Sequence, residues 1–347
     1  MITAEIPVEN YFYLLSYAWD MLKEKDTLKV DFENCPTLND LYARILCNGF
    51  ESLIKRGVKK RYQEYSERAL VLKGKISIKN SLNDLMSSSN KLVCEFDDLT
   101  YNILENQIIV STLRSLLYKN IDKDLKKKIK KVLLFSNDID VIDLRKSHFH
   151  QSRNHNKHGL YALLINVSEI VYFSGLPTYN TGNSIFRDFI NDERELARLF
   201  EKFVYNFYRK HLKKTEKVGF QKKINWAIEP MDEVSQRYLP SMNSDILVAN
   251  DERRIIIDTK FYKTTFQTNY GKDSIHSGNL YQLQSYVIND KATGERLKRV
   301  GLLLYPTVNK HEHLNYKIDN ETYIQVQTID LSKPWNSIEA HLLKIVS

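Results

Sequence analysis

The segment Asp245-Ile246-Leu247-Val248 leads through the polar residues Asn250-Asp251-Glu252 into Ile255-Ile256-Ile257-Asp258-Thr259-Lys260. Two short apolar runs separated by turn residues predict a β-hairpin. Because side chains alternate along a strand, we expect Asp258 and Lys260 on one face and Thr259 on the other. Antiparallel pairing across the turn would bring Asp245 beside Asp258. The hairpin therefore predicts two carboxylates and an ammonium group in one place.

This trio indicates metal chemistry. Two close carboxylates repel each other unless a cation lies between them, and oxygen ligands favour Mg²⁺, with Mn²⁺ as an alternative. The metal would act as a Lewis acid on a phosphodiester. The Lys260 ammonium would orient or help deprotonate the attacking water and stabilise the negative charge that develops.

The bare pattern Asp-x-Lys is a weak signal, since it also occurs at Asp124-Leu125-Lys126. That second copy lies in Asp122–Leu133, where apolar residues at helical spacing predict an amphipathic helix with its lysines in solvent. The apolar strand before Asp258 and the strand-borne Asp245 distinguish the hairpin from this copy.

A predicted helix, Asn279–Asn289, follows the hairpin and places Gln282 and Tyr286 four residues apart on one face. Both could line the catalytic cleft. The alternative is that Tyr281 and Tyr286 pack in the core and Gln282 is a surface residue.

A preceding predicted helix, Glu193–Leu212, offers one more carboxylate from Glu195 or Glu201, and we prefer Glu195 as the metal ligand. The alternative is that both glutamates are solvated surface groups.

The second half of the chain has the pattern of a mixed sheet flanked by helices. The predicted strands are 218–226, 242–248, 254–260, 300–305 and 323–331, and a terminal helix follows Pro334.

The first half mixes α and β elements. We predict helices at 10–24, 38–54, 102–118, 122–133 and 160–173, and an exposed hairpin at 60–78. Gly, Pro, Asn and Thr are concentrated in Ser174–Ser184, which predicts a boundary near Pro177. The chain is therefore expected to be α+β or α/β, with domains 1–176 and 177–347.

Composition adds weaker constraints. The net charge of +8 is compatible with a polyanionic partner such as DNA. No apolar run is long enough to cross a membrane, so we expect a soluble cytoplasmic protein without a membrane partner. The three cysteines lack metal-type spacing, and the cluster His148, His150, His155 and His158 is interpreted as a polar loop rather than a zinc site.

Two further stretches carry a family resemblance. The segments Ile6–Trp19 (IPVENYFYLLSYAW) and Asp98–Asn106 (DLTYNILEN) resemble signatures of McrC, the nuclease subunit of the McrBC modification-dependent restriction systems. The C-terminal half is similar to that family's PD-(D/E)XK nuclease domain over Asp245, Asp258 and Lys260. Ser244 stands where relatives carry proline, and Asp258 where many carry glutamate.

The resemblance implies a restriction-endonuclease-like domain that cuts double-stranded DNA with Mg²⁺ in a system directed at 5-methylcytosine-type modifications. It implies catalytic roles for Gln282 and Tyr286, and places Thr259 among the metal ligands. It also implies a partner, a hexameric AAA+ GTPase (McrB) that binds the GTP and whose hydrolysis the N-terminal half stimulates through a projecting element, for which Tyr65–Ala69 is our candidate.

The absence of a G-x-x-x-x-G-K-[ST] phosphate loop fits a chain that relies on another subunit for nucleotide hydrolysis. Two alternatives stay open. The chain could be a non-cleaving activator of an AAA+ ring, or a stand-alone repair or junction nuclease on the same fold.

Overall fold

The computed structural model describes residues 6–22, 28, 35–86, 92–155, 159–174, 177–180, 183–186, 193–262, 267–269, 272–291 and 297–347. The chain divides into two compact units. Met1–Lys25 and Phe173–Ser347 form the first, here called the sheet unit. Asp26–Tyr172 forms the second, here called the ribbon unit.

The sheet unit contains helices and strands in alternation, in the order α1 (Val8–Ala18), β4 (Pro177–Asn180), β5 (Asn183–Phe186), α8 (Glu193–His211), β6 (Lys217–Ile224), α9 (Glu233–Tyr238), β7 (Met242–Ala249), β8 (Arg253–Thr259), β9 (Gln267–Asn269), β10 (Lys272–Ser274), α10 (Ser277–Lys291), β11 (Lys298–Thr307), β12 (His313–Lys317), β13 (Thr322–Asp330) and α11 (Trp335–Ile345).

Six of these strands form one mixed sheet in the order β12-β13-β11-β8-β7-β6. Strand β11 runs parallel to both β8 and β13, whereas the other neighbours are antiparallel. Helix α8 packs on β6, β7 and β8, and α10 packs on β11, β8, β13 and β6. The predicted mixed sheet with flanking helices is confirmed.

The core beneath α10 explains why this order of elements folds. Leu283 and Val287 of α10 pack with Ile256 of β8 and Leu303 of β11 in one buried cluster. Gly301 lets the helix approach the sheet, because a Cβ atom there would lie 2.6 Å from Val287 Cγ2. Burial of these aliphatic side chains contributes roughly 1.5–3 kcal/mol each.

The structure corrects one end of the predicted domains. Residues 1–25 belong to the sheet unit rather than to a 1–176 domain. The reason is specific contact: the buried Asn10 amide donates to the carbonyl oxygens of Leu331 and Lys333 at 2.8 Å each. In addition, the Tyr13 ring stacks on Trp335 with 4.2 Å between centroids.

The ribbon unit contains α2 (Leu38–Arg56), β1 (Arg61–Ala69), β2 (Lys75–Ile76), α3 (Ile78–Met86), β3 (Leu92–Thr100), α4 (Leu104–Leu116), α5 (Lys123–Leu134), α6 (Lys146–His155) and α7 (Leu160–Phe173). Thr37 begins α2 with a reciprocal capping box to Asp40. Asp122 caps α5. The predicted amphipathic helix is confirmed, with Leu125, Ile129 and Val132 buried.

The predicted hairpin at 60–78 is wrong in its pairing. Both β1 and β2 pair antiparallel with β3, giving the order β1-β3-β2. Gly74 makes the turn into β2 with a φ of +65°, where a Cβ atom would lie 2.5 Å from the Glu95 carbonyl oxygen. Strand β3 was not predicted, because its polar and acidic residues interrupt the apolar alternation that indicates a strand.

Candidate active site

Asp245 and Asp258 are brought to neighbouring strands. The β7–β8 register ends with Ile246 opposite Ile257, one residue before the two aspartates. Asp245 Oδ2 accepts from the Thr259 amide at 2.7 Å, and the negative charge of Asp245 acts on Asp258. The two aspartates therefore lie near one another at the end of this pair of strands, and their roles stay a prediction.

The Asp258 side chain is buried, with 1% of it exposed. Burial, followed by the negative charge of Asp245, raises the pKa of Asp258 from 3.8 to about 7, while Lys260 opposes the shift. Among the residues that the structure describes, no N–H or O–H group donates a well-directed hydrogen bond to either Asp258 oxygen. The Asp258 oxygens can therefore bind a cation, because a buried carboxylate needs a partner for its acceptor oxygens.

Lys260 lies beside this carboxylate. Its Nζ is 2.8 Å from Asp258 Oδ2, and 18% of its side chain is exposed. Burial disfavours the ammonium, but the charges of Asp258 and Asp245 outweigh burial and hold the pKa of Lys260 above its usual value. Lys260 is therefore a cation, which suits charge stabilisation better than proton abstraction.

Thr259 holds Asp245 in place. Its amide nitrogen donates to Asp245 Oδ2 at 2.7 Å, and its hydroxyl donates to the same oxygen at 2.9 Å. Both contacts orient one carboxylate oxygen of Asp245 toward the end of β8. The role of Thr259 as a metal ligand stays a prediction.

Gln282 and Tyr286 extend the site along α10. Lys260 Nζ donates to Gln282 Oε1 at 3.1 Å, and Gln282 Nε2 donates to the Tyr286 hydroxyl at 2.6 Å. The four-residue spacing thus aligns both side chains with Lys260. Tyr286 is also buried in the core beneath α10. The alternative prediction, that Tyr286 packs in the core, therefore describes part of its role.

The structure places Glu201, rather than the preferred Glu195, close to Asp258, and the ligand role of either glutamate stays a prediction. Glu195 pairs with Arg198 on an exposed face of α8. Glu201 is the helix carboxylate that acts on Asp258. Glu195 and Glu201 are six residues apart, which corresponds to one full helical turn and roughly 240° more. The two side chains therefore lie on different faces of α8.

Burial, followed by the charge of Asp245, raises the pKa of Glu201, whereas the hydrogen bond from Gln221 lowers it. Gln221, which the sequence reasoning missed, donates from Nε2 to Glu201 Oε1 at 3.2 Å and has a φ of +46°. Within β6 it occupies the position between the paired residues Phe220 and Lys222, next to Asp245 across the strands. No sequence pattern predicts that Gln221 adopts a left-handed backbone conformation.

This donor set fits a hard divalent ion. Asp245, Asp258 and Glu201 supply carboxylate oxygens, which Mg²⁺ prefers, and Mg²⁺ commonly keeps several waters with one or two protein carboxylates. Across the described ranges, no three His, Cys, Asp or Glu side chains form a ready-made ligand set. The residues therefore suit a partly hydrated Mg²⁺ or Mn²⁺ better than a fully caged ion.

Two other sequence patterns belong to the ribbon unit. Asp124 pairs with Lys127 at 2.9 Å on the solvent face of α5, as expected of a surface helix. The histidine cluster forms helix α6 rather than the predicted loop, with His148 accepting a hydrogen bond from the Arg145 amide. His158 lies outside the described residues.

The comparisons with known proteins agree with this geometry. The family model described as "McrBC 5-methylcytosine restriction system component" matches residues 9–306. The type IV methyl-directed restriction enzyme EcoKMcrBC of Escherichia coli K12 is 30% identical over 342 residues, which cover 98% of this chain and 97% of that protein. The chain therefore belongs to the family of McrBC 5-methylcytosine restriction system components.

The resemblance to McrC is confirmed by the fold as well. A half-complex from a tetradecameric assembly of Thermococcus gammatolerans McrB AAA+ hexamers with bound McrC matches with a TM-score of 0.60 at 16% identity. The match covers 98% of this chain and 76% of that chain. Among the described residues, no helix is both long enough and apolar enough to span a bilayer.

Proposed function

We propose that this chain is the nuclease subunit of a modification-dependent restriction complex and hydrolyses phosphodiesters of double-stranded DNA with Mg²⁺. The observation that carries the proposal is the Asp245–Asp258 pair beside the Lys260 ammonium. The family membership supports the same activity.

Each side chain has a role in this reaction. Asp245, Asp258 and Glu201 would hold the ion, which when bound supplies a Lewis acid and lowers the pKa of a water molecule. Lys260 places positive charge where the phosphorane-like transition state becomes more negative. Gln282 keeps Lys260 oriented, because it accepts from the ammonium while donating to the Tyr286 hydroxyl.

The test uses matched variants of the two Asp-x-Lys copies. The purified chain, its AAA+ partner, GTP, Mg²⁺ and methylated duplex DNA are combined, and cleavage is measured for Asp258→Asn and Lys260→Ala. We expect losses of about 100- to 1,000-fold for each, comparable to removal of a group that stabilises transition-state charge. The control variants Asp124→Asn and Lys126→Ala should cleave at the wild-type rate.

Undiminished cleavage by both site variants would contradict the nuclease assignment. GTP hydrolysis that rises on mixing while DNA stays intact with either Mg²⁺ or Mn²⁺ would favour the non-cleaving activator instead. Robust cleavage by the chain alone would favour a stand-alone nuclease.

We further propose that the ribbon β1–β3 contacts a hexameric AAA+ GTPase of the McrB type, which binds the GTP, and stimulates its hydrolysis. The tip that follows β1 supports this, because Leu70, Val71 and Leu72 expose 78%, 73% and 59% of their surface. Adjacent exposed apolar side chains are typical of protein-binding surfaces. Changing Leu70 and Val71 to serine should reduce stimulated GTP hydrolysis, whereas Tyr118→Ser, at an exposed aromatic residue outside this tip, should not.

A further inference from the structure

The C-terminal end of α10 carries a buried carboxylate, Asp290, that is held by two arginines. Arg254 makes a two-point contact, from Nε to Oδ2 at 2.9 Å and from Nη2 to Oδ1 at 2.7 Å. Arg299 Nε donates to Oδ2 at 3.2 Å. Arg299 is 1% exposed and Asp290 5% exposed, whereas 25% of the Arg254 side chain is exposed, so the carboxylate is buried while Arg254 reaches solvent. Planar, two-point arginine–carboxylate contacts fix orientation as well as distance.

Both arginines belong to the strands that carry the candidate site. Arg254 precedes Asp258 by four residues on β8, so the two side chains share a face of the sheet. Arg299 is the register partner of Arg254 on the parallel strand β11. The cluster thus attaches α10 to the same strand whose end presents Asp258 and Lys260.

Three residues form one row along α10, from the exposed Gln282 through the buried Tyr286 to the buried Asp290. Gln282, Tyr286 and Asp290 follow one another at intervals of four residues, which places them along one side of the helix over about 12 Å. At one end Gln282 meets Lys260, and at the other end Asp290 meets Arg254. Two polar attachments at separate points fix both the position and the rotation of the helix.

The aliphatic packing between these attachments holds α10 against the sheet but does not by itself set the rotation of the helix about its axis. Leu283 and Val287 are fully buried, and Gly301 places the β11 backbone against them. Aliphatic contacts are non-directional, whereas the Asp290 contacts are directional. A helix rotation of about 10° moves a group about 5–6 Å from the axis by about 1 Å.

We propose that Asp290, clamped by Arg254 and Arg299, is a positioning residue for the candidate active site, because it fixes the rotation of α10 at which Gln282 contacts Lys260. The inference rests on the proposed nuclease function. A misplacement of about 1 Å can reduce turnover by about 100-fold, so the effect belongs in kcat.

The first experiment compares Asp290→Asn with Asn289→Ala in the complete complex with its GTPase partner, GTP and Mg²⁺. Asn289 is a matched control, since it is buried on the same helix but binds the Ala227 amide and the Ser285 carbonyl. We expect Asp290→Asn to lower kcat by 10- to 100-fold with KM for DNA within about threefold, at a temperature where both variants are folded. The Asn289→Ala variant should lose thermal stability yet keep its kcat.

The second experiment asks whether Asp290 acts through Gln282. In a Gln282→Ala background, Asp290→Asn should cause little further loss of kcat, because residues that act in one chain of contacts are not additive. Two results would overturn the proposal. The effects of Asp290→Asn and Gln282→Ala on kcat could be fully additive, or Asp290→Asn and Asn289→Ala could lower kcat equally. Asp290 would then have only a structural role.

A measurement without DNA keeps this test independent of the nuclease assignment. Hydrogen exchange of the metal-free chain is followed in peptides covering Leu280–Tyr286. Asp290→Asn should accelerate exchange there by at least tenfold relative to Asn289→Ala. If the wild-type complex fails to cleave DNA, the proposed function fails, whereas unchanged exchange in Asp290→Asn would overturn the clamp itself.

Discussion

Replacing Asp258 by asparagine should change how the stability of the sheet unit depends on pH. Burial and the negative charge of Asp245 raise the pKa of Asp258 from 3.8 to about 7. The folded state therefore holds a proton on Asp258 that the unfolded chain releases above pH 4. The stabilisation from this proton is complete below pH 3.8 and is lost as pH rises through 7.

The size of this change in unfolding free energy follows from the shift in the pKa of Asp258. Each pH unit between the two pKa values changes the unfolding free energy by about 1.4 kcal/mol. Between pH 5 and pH 8 the wild-type protein should lose about 3 kcal/mol relative to Asp258→Asn, whose amide does not titrate. The comparison cancels any cost of the substitution that does not change with pH.

Urea unfolding in EDTA, followed by tryptophan fluorescence, measures this difference. The three tryptophans, Trp19, Trp226 and Trp335, all belong to the sheet unit, so the signal reports on the unit that carries the site. Asp124→Asn on exposed α5 is the control and should follow the wild-type curve. Parallel curves for wild type and Asp258→Asn from pH 5 to 8 would refute the reasoning.

Three further predictions test the surroundings of the site. Glu201→Gln should weaken Mg²⁺ binding about tenfold by calorimetry while Glu195→Gln leaves it unchanged, and equal effects would reject the choice of Glu201. Gly301→Ala should destabilise the sheet unit by about 1–3 kcal/mol in urea, since its new methyl group would overlap Val287; a neutral result would mean that α10 can move away. Asn10→Ala should cost about 2 kcal/mol in the same assay, because the buried Leu331 carbonyl and the part-buried Lys333 carbonyl lose their donor; a loss below 0.5 kcal/mol would argue against that attachment.

Apolar periodicity predicted the elements that frame the site, because their burial is one-sided or complete. The all-isoleucine run of β8 and the helix α10 were both found, and strand alternation placed Asp258 with Lys260. Strand β12 was missed because its residues are mostly exposed at the sheet edge, which leaves no alternation to detect. Helix α9 was missed for the same reason, as none of its residues is buried.

The components of the site that escaped prediction depend on tertiary distance. The choice between Glu195 and Glu201 requires the rotation of α8 about its axis, which the position of α8 on β6 and β7 sets. The hydrogen bond from the Thr259 amide to Asp245 depends on the backbone geometry at the end of β8. The left-handed backbone at Gln221 has no signature in residue type.

The assignment of α1 to the sheet unit has a consequence for biosynthesis. The ribosome makes α1 well before Trp335, on which Tyr13 stacks. Asp26–Tyr172 is an insertion within a discontinuous domain, and at roughly 5–20 residues per second its translation separates the two halves by on the order of ten seconds. During that interval the apolar face of α1 lacks its permanent neighbours, while the inserted unit can already fold. The sheet unit is therefore completed only after the inserted unit has been made.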